Sequence, residues 1–195
     1  MMTNFLLRKG HTLETNVSRA QMLSALNDRD SLLWVDLEQP NEFESDSLVE
    51  IFNFHPLAVE DCLVDHSHPK IDDYEEYLFM VMHAVKISGD PERKNEEFST
   101  IELDIFLGPN YVVTFHTAPL KSIGSVRENL LKKPDRFMGQ GSDALVHAIL
   151  DNLVDNYQPI LDFYEEKIDK LEEEIFNNPP SDYLSGLMRV KQDIF

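Results

Sequence analysis

The stretch that decides the fold is His55-Pro56-Leu57-Ala58-Val59-Glu60-Asp61, followed by His68-Pro69-Lys70-Ile71. The first part predicts a short helix over 55–64 that carries two adjacent carboxylates, that a proline opens and that a proline-bearing loop closes. A second acidic helical segment is Asp151-Asn152-Leu153-Val154-Asp155. Carboxylates on two separate elements can approach one another in a fold, and such oxygen ligands suit a hard cation such as Mg²⁺.

The composition is strongly acidic, with 36 Asp and Glu residues against 17 Lys and Arg residues and a formal net charge of −19. Such a surface argues against nucleic acid and anionic lipid headgroups as partners, because both need clustered Lys and Arg. A chain of 195 residues with 42% hydrophobic residues can build one sizeable core.

The single cysteine, Cys62, excludes an intramolecular disulfide and fits a reducing compartment. The N-terminal residues lack an apolar stretch long enough for a signal peptide. No run of about 18 apolar residues is present that could span a bilayer. We therefore expect a soluble, cytosolic polypeptide.

The first 52 residues alternate between strand and helix patterns. A hairpin is predicted from Thr3–Arg8 and Thr12–Val17, with its turn at Lys9-Gly10, and a strand at Leu32–Leu37. Ser18 is expected to cap one helix, and Asn41 a second helix with Glu44 completing a capping box. The residues expected to face the core are Met22, Leu23 and Leu26 in the first helix, and Phe43, Leu48, Ile51 and Phe52 in the second.

Three further strand patterns follow the 55–64 helix. Tyr77–Val85 is nearly all apolar and predicts a central strand covered on both faces. Ile101–Leu107 alternates and predicts a half-exposed strand, and Tyr111–His116 follows across a hairpin turn. Ser88–Ser99 is expected to be a mobile polar loop. The fold class predicted is α/β (α+β): a mixed β-sheet sandwiched by helices, followed by a long helical hairpin that leads into a stalk helix.

The last third of the chain is predicted to be helical. Ser142 is expected to cap a helix running to Phe176 that Pro159 kinks, and Ser181 to cap another that reaches Phe195 without a C-cap. We expect the natural chain to continue beyond this point. The domains predicted are a mixed-sheet domain over 1–141, a long hairpin helix over 142–178 and the start of a truncated stalk helix over 179–195.

Taken together, these motifs resemble the cytoplasmic N-terminal domain of CorA-type magnesium and cobalt transporters. The resemblance runs from about Leu32 to the end, while residues 1–29 match least and are assigned no role. It rests on the order of several segments, namely residues 55–61, His68-Pro69-Lys70, Asp73–Phe79, Leu150–Tyr157 and Ile168–Glu174.

The resemblance implies a homopentamer on the cytoplasmic face of the cell membrane, anchored by C-terminal membrane helices that this sequence lacks. It also implies that Glu60, Asp61 and Asp151 bind regulatory divalent cations, Mg²⁺ or Co²⁺, at protomer interfaces. A carboxylate from a neighbouring protomer would complete each site. The family's Gly-Met-Asn selectivity signature does not occur in these 195 residues.

Other interpretations stay open at this stage. Glu60 and Asp61 also fit the solvated end of a short helix, and Asp155, Asp162 and Asp169 fit a solvated acidic face. His66 and His68 lack a third ligand for zinc. The chain could belong to a related zinc or nickel transporter, or be a soluble acidic scaffold. No catalytic motif supports an enzyme.

Overall fold

A computed structural model describes residues 1–64, 68–90, 95–177, 188 and 191 of the chain. Its centre is a seven-stranded mixed sheet in the order β2-β1-β3-β7-β6-β5-β4. The strands are β1 Met2–Arg8, β2 Glu14–Thr15, β3 Ser31–Glu38, β4 Lys70–Asp73, β5 Leu78–Asp90, β6 Asn95–Leu107 and β7 Tyr111–His116. The helices are α1 Arg19–Leu26, α2 Glu42–Phe52, α3 Pro56–Asp61, α4 Lys121–Lys132, α5 Pro134–Phe137, α6 Ser142–Asp155 and α7 Gln158–Asn177.

Helices cover both faces of this sheet. Neighbouring strands pair antiparallel, except for β3 and β7, which are parallel. Alternate residues of each strand point to opposite faces, so the sheet separates two hydrophobic cores. Side chains of α4 and α6 fill one core, and those of α1, α2 and α3 fill the other. The predicted sandwich is therefore confirmed.

The helix starts in the N-terminal part agree with their predicted caps. Ser18 and Asn41 each close a capping box, with Gln21 and Glu44 as the reciprocal partners. The predicted hairpin also forms, as β1 and β2.

Two predicted core positions in these helices are wrong. Phe43 is 83% exposed and Leu23 is 39% exposed, whereas Ala25 is buried in α1. A helix buries one stripe, and contact with the sheet decides which one.

Strand β6 differs most from its prediction. The alternation in 101–107 suggested a half-exposed strand, but helices cover both of its faces. Glu102 is 9% exposed and Asp104 is 1% exposed, so two acidic side chains are buried. The predicted polar loop is also wrong in part, because β5 extends to Asp90 and β6 begins at Asn95. Residues 91–94 lie outside the described residues.

The predicted helix from Ser142 to Phe176 is two helices. Helix α6 ends at Asp155 and α7 begins at Gln158, directly before Pro159, whose missing N–H is tolerated in a first turn. Ser142 is the first helical residue and not the cap, and its hydroxyl donates to the Gly108 carbonyl at 2.7 Å. The predicted stop at 178–180 and the helix after Ser181 lie outside the described residues, apart from two isolated positions.

Within the part of the chain that the structure describes, no helix combines the length and apolar character that crossing a membrane requires.

Candidate functional site

Helix α3 presents the two adjacent carboxylates that the sequence singled out. His55 is its N-cap, and the His55 Nδ1 atom accepts a hydrogen bond from the Leu57 amide at 3.2 Å. Ala58 is fully buried, which turns the opposite side of the helix to solvent. Glu60 is consequently exposed, and Asp61, at the last helical position, is half-buried.

An aromatic cluster fixes α3 on the sheet. Phe54, directly before the helix, is 1% exposed and stacks on Phe106 of β6, with ring centroids 4.0 Å apart and planes 7° from parallel. The Tyr77 ring lies 4.7 Å from Phe54, and the Tyr77 hydroxyl accepts a hydrogen bond from the His55 amide at 2.9 Å. These contacts set where the carboxylates of α3 stand.

Lys70 already supplies a positive charge to Asp61. Its ammonium donates a hydrogen bond to Asp61 Oδ2 and lies 3.1 Å from Asp72 Oδ2. The hydrogen bond to Asp61 is the largest influence on Lys70 and raises the pKa of its ammonium. The ammonium also lies 5.5 Å from the centre of the Phe79 ring. Any metal ion that uses Asp61 must therefore compete with this ion pair.

Asp104 lies on the α3 side of the sheet, in register with Val81, which is itself paired with Lys70. Burial, and then the nearby Glu102 carboxylate, raise the pKa of Asp104 from 3.8 to about 8. The same burial raises the pKa of the Cys62 thiol, with Asp104 as the next cause. Burial therefore favours the neutral, protonated form of Asp104.

Asp151 stands apart from the carboxylates of α3. It is exposed on α6, which packs on the opposite face of the sheet from α3. Among the described residues, Asp61 and Asp151 are not part of one set of converging metal ligands. Within a single chain the sheet separates these two segments, so their possible approach does not occur there. The metal-binding roles of Glu60, Asp61 and Asp151 stay predictions.

The surroundings of Asp151 carry positive charge. It lines a groove together with Lys132, Lys133, Arg136 and His147. In a chain with a net charge of −19, this groove is locally basic. A cation at Asp151 would need further carboxylates from outside the chain to offset that charge.

One cluster of acidic and imidazole groups was not predicted from the sequence. Asp36 and Glu38 at the end of β3 and His116 at the end of β7 offer ligand atoms that all lie within 4.8 Å of one another. Burial lowers the pKa of His116, but the hydrogen bond and charge of Asp36 raise it, and the net shift is upward. The two-residue spacing of Asp36 and Glu38 was the available signal, since it places both side chains on one face of a strand.

Comparison with known proteins gives a consistent result. Residues 29–195 match the protein family described as CorA-like Mg²⁺ transporter protein. The Bacillus subtilis protein YfjQ is 39% identical over 140 residues, which are 72% of this chain and 41% of that protein. The cobalt/magnesium transport protein CorA of Thermotoga maritima is 27% identical over 145 residues, which are 74% of this chain and 40% of that protein. The chain thus spans about two fifths of the length of these relatives.

The fold has a solved counterpart. The soluble domain of CorA from Methanocaldococcus jannaschii aligns with a TM-score of 0.67 at 18% identity, over 98% of this chain and 71% of that chain. Identity this low establishes likeness of fold. It confirms the predicted mixed sheet with helices.

Proposed function

The chain belongs to the CorA-like Mg²⁺ transporter family, and we propose that it is the cytoplasmic, divalent-cation-sensing domain of a Mg²⁺ and Co²⁺ transport channel. The family is one of transporters and not of enzymes. In this proposal a longer protein assembles as a homopentamer at the cytoplasmic face of the cell membrane. Glu60, Asp61 and Asp151 are its regulatory metal ligands.

The observation that carries this proposal is the placement of the candidate carboxylates. Glu60 and Asp151 are exposed on two different helices, and the sheet lies between those helices. Each helix offers too few carboxylates to hold a divalent cation firmly, so in this proposal carboxylates from another copy of the chain complete a site that uses either residue. An interfacial site in a ring of subunits meets this need.

The donor set fits Mg²⁺ in its chemistry. Glu60, Asp61 and Asp151 offer oxygen atoms only, and Mg²⁺ prefers oxygen ligands and keeps several of its waters. Asp61 is already paired with the Lys70 ammonium, so a cation that binds Asp61 in this proposal replaces that partner.

Electrostatics explains how such an interface would respond to a cation. Two carboxylates about 5 Å apart repel by roughly 3 kcal/mol at an effective dielectric constant near 20. Subunits whose carboxylates share a divalent cation lose this repulsion and can hold a closed, symmetric ring. With so few protein ligands the affinity is expected to be on the order of millimolar, or about 4 kcal/mol. Weak binding suits a sensor of cytosolic concentration.

Charge reversal in the longer protein tests the proposal. We expect Asp61→Lys combined with Asp151→Lys to raise the Mg²⁺ concentration needed for half-maximal closure by at least about tenfold, which corresponds to about 1.4 kcal/mol. The measurement is ion flux through reconstituted protein as the Mg²⁺ concentration on the domain side is increased. Asp155→Lys is the matched control, because Asp155 is exposed on the same helix four residues further on. If the double variant closes at the same Mg²⁺ concentration as the unmodified protein, the sensing role is contradicted and the domain is a scaffold.

The Lys70–Asp61 pair leads to a second prediction. Lys70→Gln removes the competing ammonium while keeping a polar side chain, so Asp61 becomes more available to a cation. A half-exposed ion pair of this kind is worth up to about 1 kcal/mol, so we expect the half-maximal Mg²⁺ concentration for closure to fall about fivefold. Lys9→Gln is the control, since Lys9 forms an exposed pair with Asp30 at 3.8 Å, away from α3. An unchanged or higher half-maximal concentration would argue that Asp61 is not a ligand.

A further inference from the structure

The cluster of Asp36, Glu38 and His116 lies where the two parallel strands of the sheet end. Asp36 and Glu38 project from the same face of β3, and Glu38 is the register partner of His116 on β7. Side chains at the carboxyl ends of adjacent parallel strands commonly form ligand sites. Here one imidazole and two carboxylates converge within a single chain.

The His116 ring is oriented as a metal ligand would be. Its Nδ1 atom lies 2.7 Å from the Ala118 carbonyl oxygen, and a carbonyl can only accept, so Nδ1 carries a proton. Histidines that bind metals usually donate their second ring N–H to such a carbonyl or carboxylate. The Nε2 atom faces Asp36 Oδ1 at 3.1 Å. Two acceptor atoms at that distance require a proton or a cation between them.

Asp36 supplies an independent indication of a missing partner. Its side chain is completely buried, and its Oδ1 atom accepts a 2.6 Å hydrogen bond from the Thr114 hydroxyl. Its Oδ2 atom is also buried and has no hydrogen-bond partner within the part of the chain that the structure describes. Among the described residues, Arg127 forms an ion pair with this oxygen, but its Nη1 lies 3.7 Å from Oδ2, too far for a hydrogen bond. Buried carboxylate oxygens are normally satisfied, so this one calls for an explanation.

We propose that Asp36, Glu38 and His116 form an intrachain site for a first-row divalent transition ion such as Co²⁺ or Zn²⁺. Mixed imidazole and carboxylate ligands favour these ions, whereas Mg²⁺ prefers oxygen ligands alone. The Arg127 guanidinium is 31% exposed, so it can turn towards solvent as the metal takes its place beside Oδ2. The site is on the α4 face of the sheet, away from α3, and does not depend on the interfacial site.

The test is titration of this chain with Co²⁺ in the presence of millimolar Mg²⁺. The Mg²⁺ occupies exposed acidic groups that would bind any divalent cation. Calorimetry and the visible absorption of Co²⁺ are expected to show one bound ion. Glu38→Gln keeps the size of a half-buried side chain and is expected to weaken Co²⁺ binding by at least about tenfold. Asp155→Asn is the control, with the same loss of one charge at an exposed helix position, and should leave the affinity unchanged.

A second measurement does not depend on any variant. In protein labelled at its seven histidines, paramagnetic Co²⁺ should first shift the ring signals of His116. The proposal is overturned if no Co²⁺ binds in the presence of Mg²⁺, if the His116 signals stay in place, or if Glu38→Gln binds as tightly as the unmodified chain. Any of these results would leave Asp36, His116 and Arg127 as a buried ionic network only.

Discussion

Replacing Phe54 with alanine is expected to lower the free energy of unfolding by about 3–5 kcal/mol, the usual cost of deleting a buried phenyl ring. Phe54 is 1% exposed and stacks against Phe106 at 4.0 Å, with Phe52, Tyr77 and Tyr111 around it. The deletion leaves a cavity between α3 and the sheet, and the dense packing of these rings limits how far it can collapse. The loss of unfolding free energy is measured by denaturant titration, provided that the variant and the unmodified chain have the same m value.

Phe43→Ala is the matched control for this prediction. It removes the same ring from a position that is 83% exposed, so the free energy of unfolding should change by no more than about 0.5 kcal/mol. Equal losses for the two variants would contradict the packing described for α3. Because Phe54 fixes the start of α3, amide hydrogen exchange in that helix should also accelerate in Phe54→Ala more than elsewhere.

The second large effect is a pH dependence that originates at Asp104. Its pKa rises from 3.8 in an ordinary environment to about 8 in the folded chain, so the native state binds more protons than the unfolded state between these values. Its contribution to stability is therefore present at low pH and is lost as the pH rises towards 8. Asp104→Asn keeps the shape without the acid and should become more stable relative to the unmodified chain by up to about 1.4 kcal/mol per pH unit.

The quantity to measure is the difference in unfolding free energy between Asp104→Asn and the unmodified chain, from about pH 5 to pH 9. This difference should grow up to about pH 8 and then level off, because Asp104 is then ionised in both states. Asp155→Asn, at an exposed helix position, should give a difference that hardly changes with pH. A flat curve for Asp104→Asn would mean that its carboxyl group is ionised when folded, with a partner for its charge.

Local features of the fold were predictable from the sequence. The capping boxes of Ser18 with Gln21 and Asn41 with Glu44 lie within four residues, so the chain itself carries the whole pattern. The pairing of β6 with β7 across a short turn is predictable for the same reason.

The burial of β6 was not predictable in this way. An alternating strand looks the same whether its polar face meets solvent or another helix, and only tertiary packing decides that Asp104 is buried. The prediction that Phe43 faces the core was wrong for a similar reason. How α2 docks on the sheet decides which side of the helix is buried.

The candidate sites likewise differ in whether a local segment or the tertiary fold determines them. The exposure of Glu60 and the role of His55 as a cap follow from a seven-residue segment. By contrast, Asp36 and His116 are 80 residues apart in sequence, and only the parallel register of β3 and β7 places them together. The separation of Asp61 from Asp151 likewise depends on which face of the sheet each helix covers.

The break between α6 and α7 has a mechanical consequence. Beside it, the Tyr157 hydroxyl donates a 2.7 Å hydrogen bond to the His83 carbonyl of β5, and Ile160 and Tyr164 of α7 pack with Val85 of the same strand. The base of α7 is therefore tethered to β5, and tilting it independently would sacrifice that hydrogen bond, worth about 1 kcal/mol. A force that tilts α7 is therefore transmitted to β5. Because β5 pairs with β4, which carries Lys70, this force acts on the sheet one strand away from the Lys70–Asp61 contact.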